Sequence, residues 1–150
     1  GPAMKRRPGE AGFALLEVLA ILIVLGLVAG MTMPLLRRTP AQPQLKAEVT
    51  RMANALRVTR AAAMAQNRDT VFHIEPVERA YGSQVIARSV MDDRIEMGLS
   101  VASSERSQRG GAIRFFPSGR SSGGDVHFRL DGAQARVSVV WATGHVLVRD

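Results

Sequence analysis

The residues with the clearest chemical potential lie near the N-terminus, where one carboxylate interrupts an apolar run. Glu17 follows Phe13 by one helical turn, and Gly12 precedes Phe13. An ionised carboxylate in a membrane helix costs about 2.5–3.5 kcal/mol at mid-bilayer, and less near a helix end. Cleavage between Gly12 and Phe13 would create an α-amino group, cationic near neutral pH, within reach of Glu17. The carboxylate of Glu17 is therefore tolerated at low cost only if this bond is cut, or if another chain brings an amine to it.

The other polar residues give no pattern typical of catalysis or metal binding. The chain has no cysteine, which excludes disulfides, zinc fingers and thiol chemistry. Asp92 and Asp93 would point to opposite faces of a strand, and the Gly119–Gly124 loop lacks the lysine of a phosphate-binding loop. The histidines lack metal-ligand spacing and are predicted to be surface strand residues: His73, His127 and His145. We expect no enzyme activity, no metal and no cofactor.

Four arginines surround two loops rich in glycine and serine: Arg106, Arg109, Arg114 and Arg120. With a net charge of +7, such a group could contact an anion or DNA, and that contact would depend strongly on salt. Single-strand binding also needs exposed stacking aromatics, whereas Phe115, Phe116 and Trp141 are predicted to lie in the core. Solubility or an acidic protein partner is the alternative explanation for the arginines.

These residues need a helix that can hold Glu17 in a membrane. Residues 13–36 carry a single charge, and as a helix they would extend about 36 Å, enough for a hydrocarbon core of about 30 Å. Lys5, Arg6 and Arg7 before this run indicate a cytoplasmic N-terminus. A secretory signal peptide is the alternative, but the length of the run and its carboxylate count against it.

A second helix is expected after a linker over residues 37–44, which contains Pro40 and Pro43. The helix, residues 45–67, has one apolar stripe that we expect to face a core: Leu45, Val49, Met52, Leu56 and Ala63. Basic residues on its flank are predicted to be solvated, with a nucleic-acid or lipid face as the alternative: Lys46, Arg57 and Arg68.

Residues 70–150 are predicted to be strands. Short strands are expected at Val71–Glu75, Gln84–Arg88 and Arg94–Val101. The final third alternates apolar and polar residues in segments separated by the turn signals Asp131-Gly132 and Thr143-Gly144. The expected fold class is α+β: a long N-terminal helix, membrane-spanning in its first half and amphipathic in its second, packed on an antiparallel β-domain of two sheets.

The N-terminal stretch "GFALLEVLAILIVLGLVAG" resembles the class III signal of type IV pilins and type II secretion pseudopilins. The resemblance implies that a prepilin peptidase cuts after Gly12 and that Phe13 becomes the methylated N-terminus. It also implies that Glu17 seats the subunit in a filament and that Pro34 is the helix-breaking proline. The filament would form through packing of Leu15, Leu16, Val18 and the apolar residues that follow.

Two C-terminal stretches, "IRFFPSGRSSGGDVHF" and "ARVSVVWATGHV", resemble the H-type minor pseudopilins of type II secretion. A Phe-Pro-x-Gly-x-Ser loop and a Trp-x-x-Gly hairpin recur in that family. A DNA-binding minor pilin of a DNA-uptake system is the alternative. Such pilins are expected to carry several arginines near the C-terminus, whereas this chain has only Arg149 in "GHVLVRD".

The resemblance implies an organisation and a set of partners. Residues 1–12 would be a tag remnant and cleaved leader, 13–36 the membrane and filament-core helix, 37–44 a linker and 45–150 a soluble periplasmic domain. The protein would be stored in bacterial inner-membrane lipid with its N-terminus in the cytoplasm. It would then join I-, J-, K- and G-type pseudopilins near the tip of a periplasmic pseudopilus that drives protein export.

Overall fold

The computed structural model describes residues 8–37 and 41–150 and divides the chain into two units, residues 1–39 and 40–150. The described residues of the first unit form the helix α1 (Pro8–Arg37). Its segment Gly12–Met31 is the one stretch of the described residues long and apolar enough to cross a membrane, and none of it is buried. The side chains described on α1 are those of residues 12–31.

The helix boundaries differ from the predicted ones at the junction of the two units. α1 continues past Pro34 to Arg37, so the helix does not break at that proline. A proline removes one hydrogen bond and can kink a helix without ending it. The second helix, α2 (Ala41–Gln66), begins within the predicted linker. Pro43 fits there because backbone N–H groups in a first turn have no acceptor within the helix.

α2 packs through one face, and the five predicted core residues on it are all buried. Thr59 is also buried on this face, and its hydroxyl donates to the Ala55 carbonyl at 2.8 Å. The helix ends at Gln66 because Asn67 takes a left-handed conformation, with φ of 51°. The Arg68 N–H then donates to the Ala63 carbonyl at 3.2 Å, which satisfies a free carbonyl of the last turn.

In the described part of the chain, nine strands and a short 3₁₀ turn (Ser103–Glu105) follow α2. The strands are β1 (Thr70–Glu75), β2 (Ala80–Ser83), β3 (Ser89–Val90), β4 (Glu96–Val101), β5 (Arg106–Ser107), β6 (Gly110–Phe115), β7 (Gly124–Leu130), β8 (Ala133–Val139) and β9 (Val146–Arg149). They form two antiparallel sheets with the orders β3-β2-β1-β6-β5 and β4-β7-β8-β9.

One predicted strand is wrong, and its residues lie between two strands of the first sheet. Residues 84–88 form a loop, and the strand expected there is replaced by β2 before it and β3 after it. The Ser83 hydroxyl accepts the N–H groups of Val85 at 3.3 Å and Ile86 at 3.2 Å. The Ser83 side chain therefore stabilises a turn, and the backbone after it does not pair with a neighbouring strand.

The second sheet alternates as predicted. Along β7, Val126, Phe128 and Leu130 are buried while His127 and Arg129 are exposed. Asp131 and Gly132 both have positive φ, 46° and 85°, and join β7 to β8 in a tight hairpin. α2 contacts strands of both sheets, and one core cluster includes residues of all three layers. The predicted α+β class with two antiparallel sheets is confirmed.

Candidate assembly site

The N-terminal candidate residues lie on α1 with their side chains exposed: Phe13, Leu15, Leu16, Glu17 and Val18. Successive residues of a helix are separated by about 100°, so three apolar neighbours of Glu17 cover much of the circumference. An apolar surface around the whole helix suits lipid or a helical bundle better than the surface of a globular domain. The bond between Gly12 and Phe13 lies inside α1, one turn before Glu17.

The structure does not bring the four candidate arginines together. Arg106 and Arg109 belong to the β5–β6 hairpin, at the start of β6. Arg120 lies in the loop after β6. The length of this strand, roughly 17 Å at about 3.3 Å per residue, therefore separates Arg120 from Arg106 and Arg109. Arg114 donates to Glu105 at 3.0 Å and lies 3.7 Å from Asp69. The hydrogen bond with Glu105 raises the pKa of the Arg114 guanidinium, so this cation already has carboxylate partners.

The two C-terminal sequence motifs form one structural unit. The Ser121 N–H donates to the Trp141 carbonyl at 3.0 Å, which joins the β6–β7 loop to the β8–β9 loop. Gly119 and Gly144 have φ values of 89° and 74°. A Cβ atom on Gly144 would lie 1.9 Å from the Gly119 carbonyl oxygen. The close contact of the two loops therefore requires glycine at position 144.

Two arginines of α2 bind this pair of loops and the start of β9. Arg60 Nε donates to the Gly119 carbonyl at 2.9 Å, and its Nη2 donates to the Thr143 carbonyl at 3.0 Å. Arg57 Nη2 donates to the Val146 carbonyl at 3.1 Å, so this residue is more than the solvated flank we predicted. Sequence reasoning missed Arg60. The available signal was its position one turn after Arg57, beside the apolar stripe.

Trp141 was predicted to be buried, and that prediction is wrong. Its side chain is 62% exposed, and the Arg120 guanidinium carbon lies 5.5 Å from its ring centroid, within cation–π distance. The alternation that begins at Ala135 ends with β8 at Val139, so Trp141 lies in the hairpin turn. Phe115 is fully buried, as predicted, and Phe116 is half-buried.

The remaining polar candidates are exposed histidines and serines that bind the backbone of a loop. Among the described residues, no three His, Asp or Glu side chains lie close enough to hold a metal ion. His73, His127 and His145 are exposed. The hydroxyls of Ser121 and Ser122 accept the N–H groups of Gly123 and Arg114, both at 2.9 Å. These two serines therefore shape the β6–β7 loop.

The arrangement of elements defines a class of protein. An exposed apolar helix precedes a helix that packs on two antiparallel sheets, which is the pilin-like α+β fold. The minor pseudopilin EpsH of the Vibrio cholerae type 2 secretion system has this fold, with a TM-score of 0.57, 11% identity and coverage of 69% of this chain and 94% of EpsH. The Pseudomonas aeruginosa type IV minor pilin FimU is similar, with a TM-score of 0.56, 11% identity and coverage of 72% and 90%. These identities show the fold alone.

The sequence comparisons give the family. The family model described as "Type II transport protein GspH" matches residues 48–144, and the chain belongs to this family. The chain is also 29% identical over 136 residues to the type II secretion system protein H of Xanthomonas campestris pv. campestris, covering 90% of this chain and 80% of that protein. The H-type pseudopilin resemblance is thereby confirmed, and a DNA-uptake pilin is not favoured.

Proposed function

We propose that this chain is a minor pseudopilin that is cut after Gly12, methylated at Phe13 and assembled near the tip of a periplasmic pseudopilus that drives protein export. The observation that carries the proposal is an exposed apolar helix with one carboxylate near its start, in the same chain as a GspH-family domain. The proposed work is mechanical, and the chain itself makes no covalent change.

Cleavage would change the position of Glu17 within its helix. In the uncut chain α1 begins at Pro8, so Glu17 lies well inside the helix. After a cut at Gly12, Glu17 would lie in the first helical turn, where a carboxylate interacts favourably with the helix dipole. The new amine of Phe13, or that of a neighbouring subunit, would then balance its charge. Leu15, Leu16 and Val18 are exposed around it and would pack against neighbouring helices.

The proposed organisation follows from the same helix. Residues 13–36 would cross the inner membrane and later form part of the filament core, and residues 45–150 would lie in the periplasm. Lys5, Arg6 and Arg7 would keep the N-terminus in the cytoplasm, where a prepilin peptidase acts. The partners would be the I-, J-, K- and G-type pseudopilins of the same secretion system.

The role of Glu17 is tested by Glu17→Val. We expect this variant to be cleaved normally but to be lost from filaments that contain its partners, because the amine of a neighbouring subunit would have no carboxylate. Immunoblots of leader removal and of the sheared filament fraction measure the two steps. Glu10→Val is the matched control, since it removes a carboxylate from the leader and should assemble normally. Normal co-assembly of Glu17→Val would contradict the proposed role.

The cleavage position is tested by Gly12→Glu. A long charged side chain immediately before the proposed bond should leave the leader attached, and intact-mass spectrometry of the membrane fraction would show the uncut chain. Gly9→Glu carries the same charge earlier in the leader and should still be cut before Phe13. Efficient removal of the leader from Gly12→Glu would refute the proposed position.

A further inference from the structure

An exposed aromatic and basic surface lies where the two motif loops meet the end of α2. We name it the tryptophan patch and define it by Met64, Arg120 and Trp141. Trp141 is 62% exposed and Met64 is 40% exposed. The Met64 sulfur lies 3.0 Å from the position a Cβ would take on Gly119, the residue before Arg120. The helix and both loops therefore contribute to one continuous surface.

Hydrogen bonds to the backbone hold the two loops of the tryptophan patch in place. Arg60 binds one backbone carbonyl in each loop, and Ser121 binds the carbonyl of Trp141 itself. A Cβ on Gly123 would lie 3.1 Å from the Trp141 Cβ, so the backbones of the two loops are also closely packed at this residue. A loop backbone fixed in this way needs little reordering when a partner binds. Tryptophan and arginine are also the residue types that contribute most at the centres of protein interfaces.

The charge of the surroundings indicates the chemistry of a partner. Arg57, Arg60 and Arg120 form no ion pair with a carboxylate among the described residues. Elsewhere in the domain such ion pairs do form, with arginines at 51, 88, 94, 114 and 129. These three cations therefore lack a paired carboxylate in the described part of the chain, and they are complementary to an acidic surface.

The geometry favours a protein over a nucleic acid. Arg120 already covers one part of the Trp141 ring system, which limits the stacking of bases on it. The guanidinium groups of Arg57 and Arg60 are engaged by backbone carbonyls and do not form a track of free cations. Single-strand binding requires such a track together with several stacking platforms.

We propose that the tryptophan patch docks another protein subunit, whose surface offers an apolar pocket for the Trp141 ring and a carboxylate at the rim for Arg120. The inference rests on the proposed function in one respect, because the partner is taken to be another pseudopilin of the same secretion system. Met64 is 23 residues beyond the start of α2, about 34 Å along the helix. The docked subunit would therefore contact the end of the domain far from Ala41.

The experiment uses the single tryptophan of the chain as its own probe. The full chain is labelled with 5-fluorotryptophan in detergent micelles, where one ¹⁹F resonance reports on Trp141. Unlabelled I-, J-, K- and G-type pseudopilins of the same system are added one at a time, and a single-stranded oligonucleotide is added separately. Sedimentation measures complex formation independently of the resonance.

We expect a pseudopilin that forms a complex to shift the resonance. Arg120→Glu and Trp141→Ala should weaken that complex by at least about tenfold, the size of effect typical of a central interface residue. Val77→Glu is the control, because Val77 is 85% exposed in the turn after β1, and this variant should bind as the wild type does. Circular dichroism would verify that each variant remains folded.

Other results would distinguish a failure of the docking surface from a failure of the proposed function. A complex that forms without moving the resonance, and that Arg120→Glu leaves intact, would overturn the docking surface while the proposed function stands. A shift with the oligonucleotide alone would overturn it in favour of nucleic-acid binding. If no pseudopilin forms a complex with the wild-type chain, both the docking surface and the proposed function fail.

Discussion

The carbonyl oxygen of Gly119 limits which residue can occupy position 144. The two loops approach so closely that a Cβ on Gly144 would lie 1.9 Å from this oxygen and 2.8 Å from Arg60 Nε. Gly132 has a similar left-handed backbone, with φ of 85° against 74° for Gly144, but a Cβ there would contact nothing within 4 Å. Comparing substitutions of the two glycines therefore distinguishes the cost of a left-handed backbone from the cost of a steric clash.

We expect Gly132→Ala to reduce the free energy of unfolding of the chain by about 1 kcal/mol, the cost of a left-handed alanine. Gly144→Ala should cost at least about 2 kcal/mol more, because the loops must move apart and Arg60 must lose a hydrogen bond. Urea denaturation followed by circular dichroism measures both values. Equal losses for the two variants would show that the loops are not in contact.

Single residues were predictable where a regular pattern continued and unpredictable where it ended. Phe115 and the apolar stripe of α2 were assigned to the core correctly because their periodicity matches their element. Trp141 was assigned to the core by extending the alternation of β8 beyond Val139, where the chain turns. Arg60 acts through backbone carbonyls more than 50 residues away, so its position one turn after Arg57 could mark it as a candidate but could not identify its partners.

At the level of elements, a polar network ties the start of α2 to the turn before β4. Asp92 Oδ2 accepts hydrogen bonds from Gln44 Nε2 and Arg94 Nη2, both at 2.9 Å. Asp92 Oδ1 accepts the Arg94 backbone N–H at 2.9 Å, and Arg94 also donates to Gln44 at 3.1 Å. These bonds, chiefly those from Arg94, hold the pKa of the Asp92 carboxyl well below its ordinary value of 3.8.

The network predicts a dependence of stability on pH. A lowered pKa in the folded state means that ionised Asp92 stabilises the fold above the ordinary pKa, and that this contribution is lost as the pH falls below 3.8. The wild type should therefore be more stable than Asp92→Asn at pH 7, and the difference should shrink towards pH 2. Thermal unfolding across this range measures it. Asp150→Asn is the control for net charge, and a pH-independent difference for Asp92→Asn would contradict the role of the carboxylate.

An element was predicted accurately when the pattern of its own residues determined its structure, and inaccurately when a residue outside that pattern did. The C-terminal strands alternate strictly, so the sequence predicted β7, β8 and their hairpin closely. Residues 84–88 have strand-like composition, but the Ser83 side chain binds the backbone and forms a turn. The start of α2 was placed too late because Pro43 was interpreted as a helix breaker, although a first turn accepts proline.

On the scale of the whole molecule, residues 40–150 form a unit with a core of their own. We expect a fragment of residues 41–150 to unfold in one cooperative transition, because the side chains of the core cluster all lie within it. A fragment of residues 53–150 is the control. It lacks Leu45, Val49 and Met52, and the loss of these buried side chains should abolish the transition. Scanning calorimetry measures both fragments, and a non-cooperative longer fragment would refute the prediction.

The contact between Arg57 and Val146 joins residues 89 positions apart in the chain. α2 is synthesised before the strands that cover it, and β8 and β9 follow the other described strands in the sequence. Earlier strands such as β1 also contact the helix, so its apolar stripe is only partly covered until β8 and β9 have been made. The full contact surface of α2 forms only after Val146 has been synthesised. A chain released before Val146 would lack the strand to which Arg57 fastens the helix.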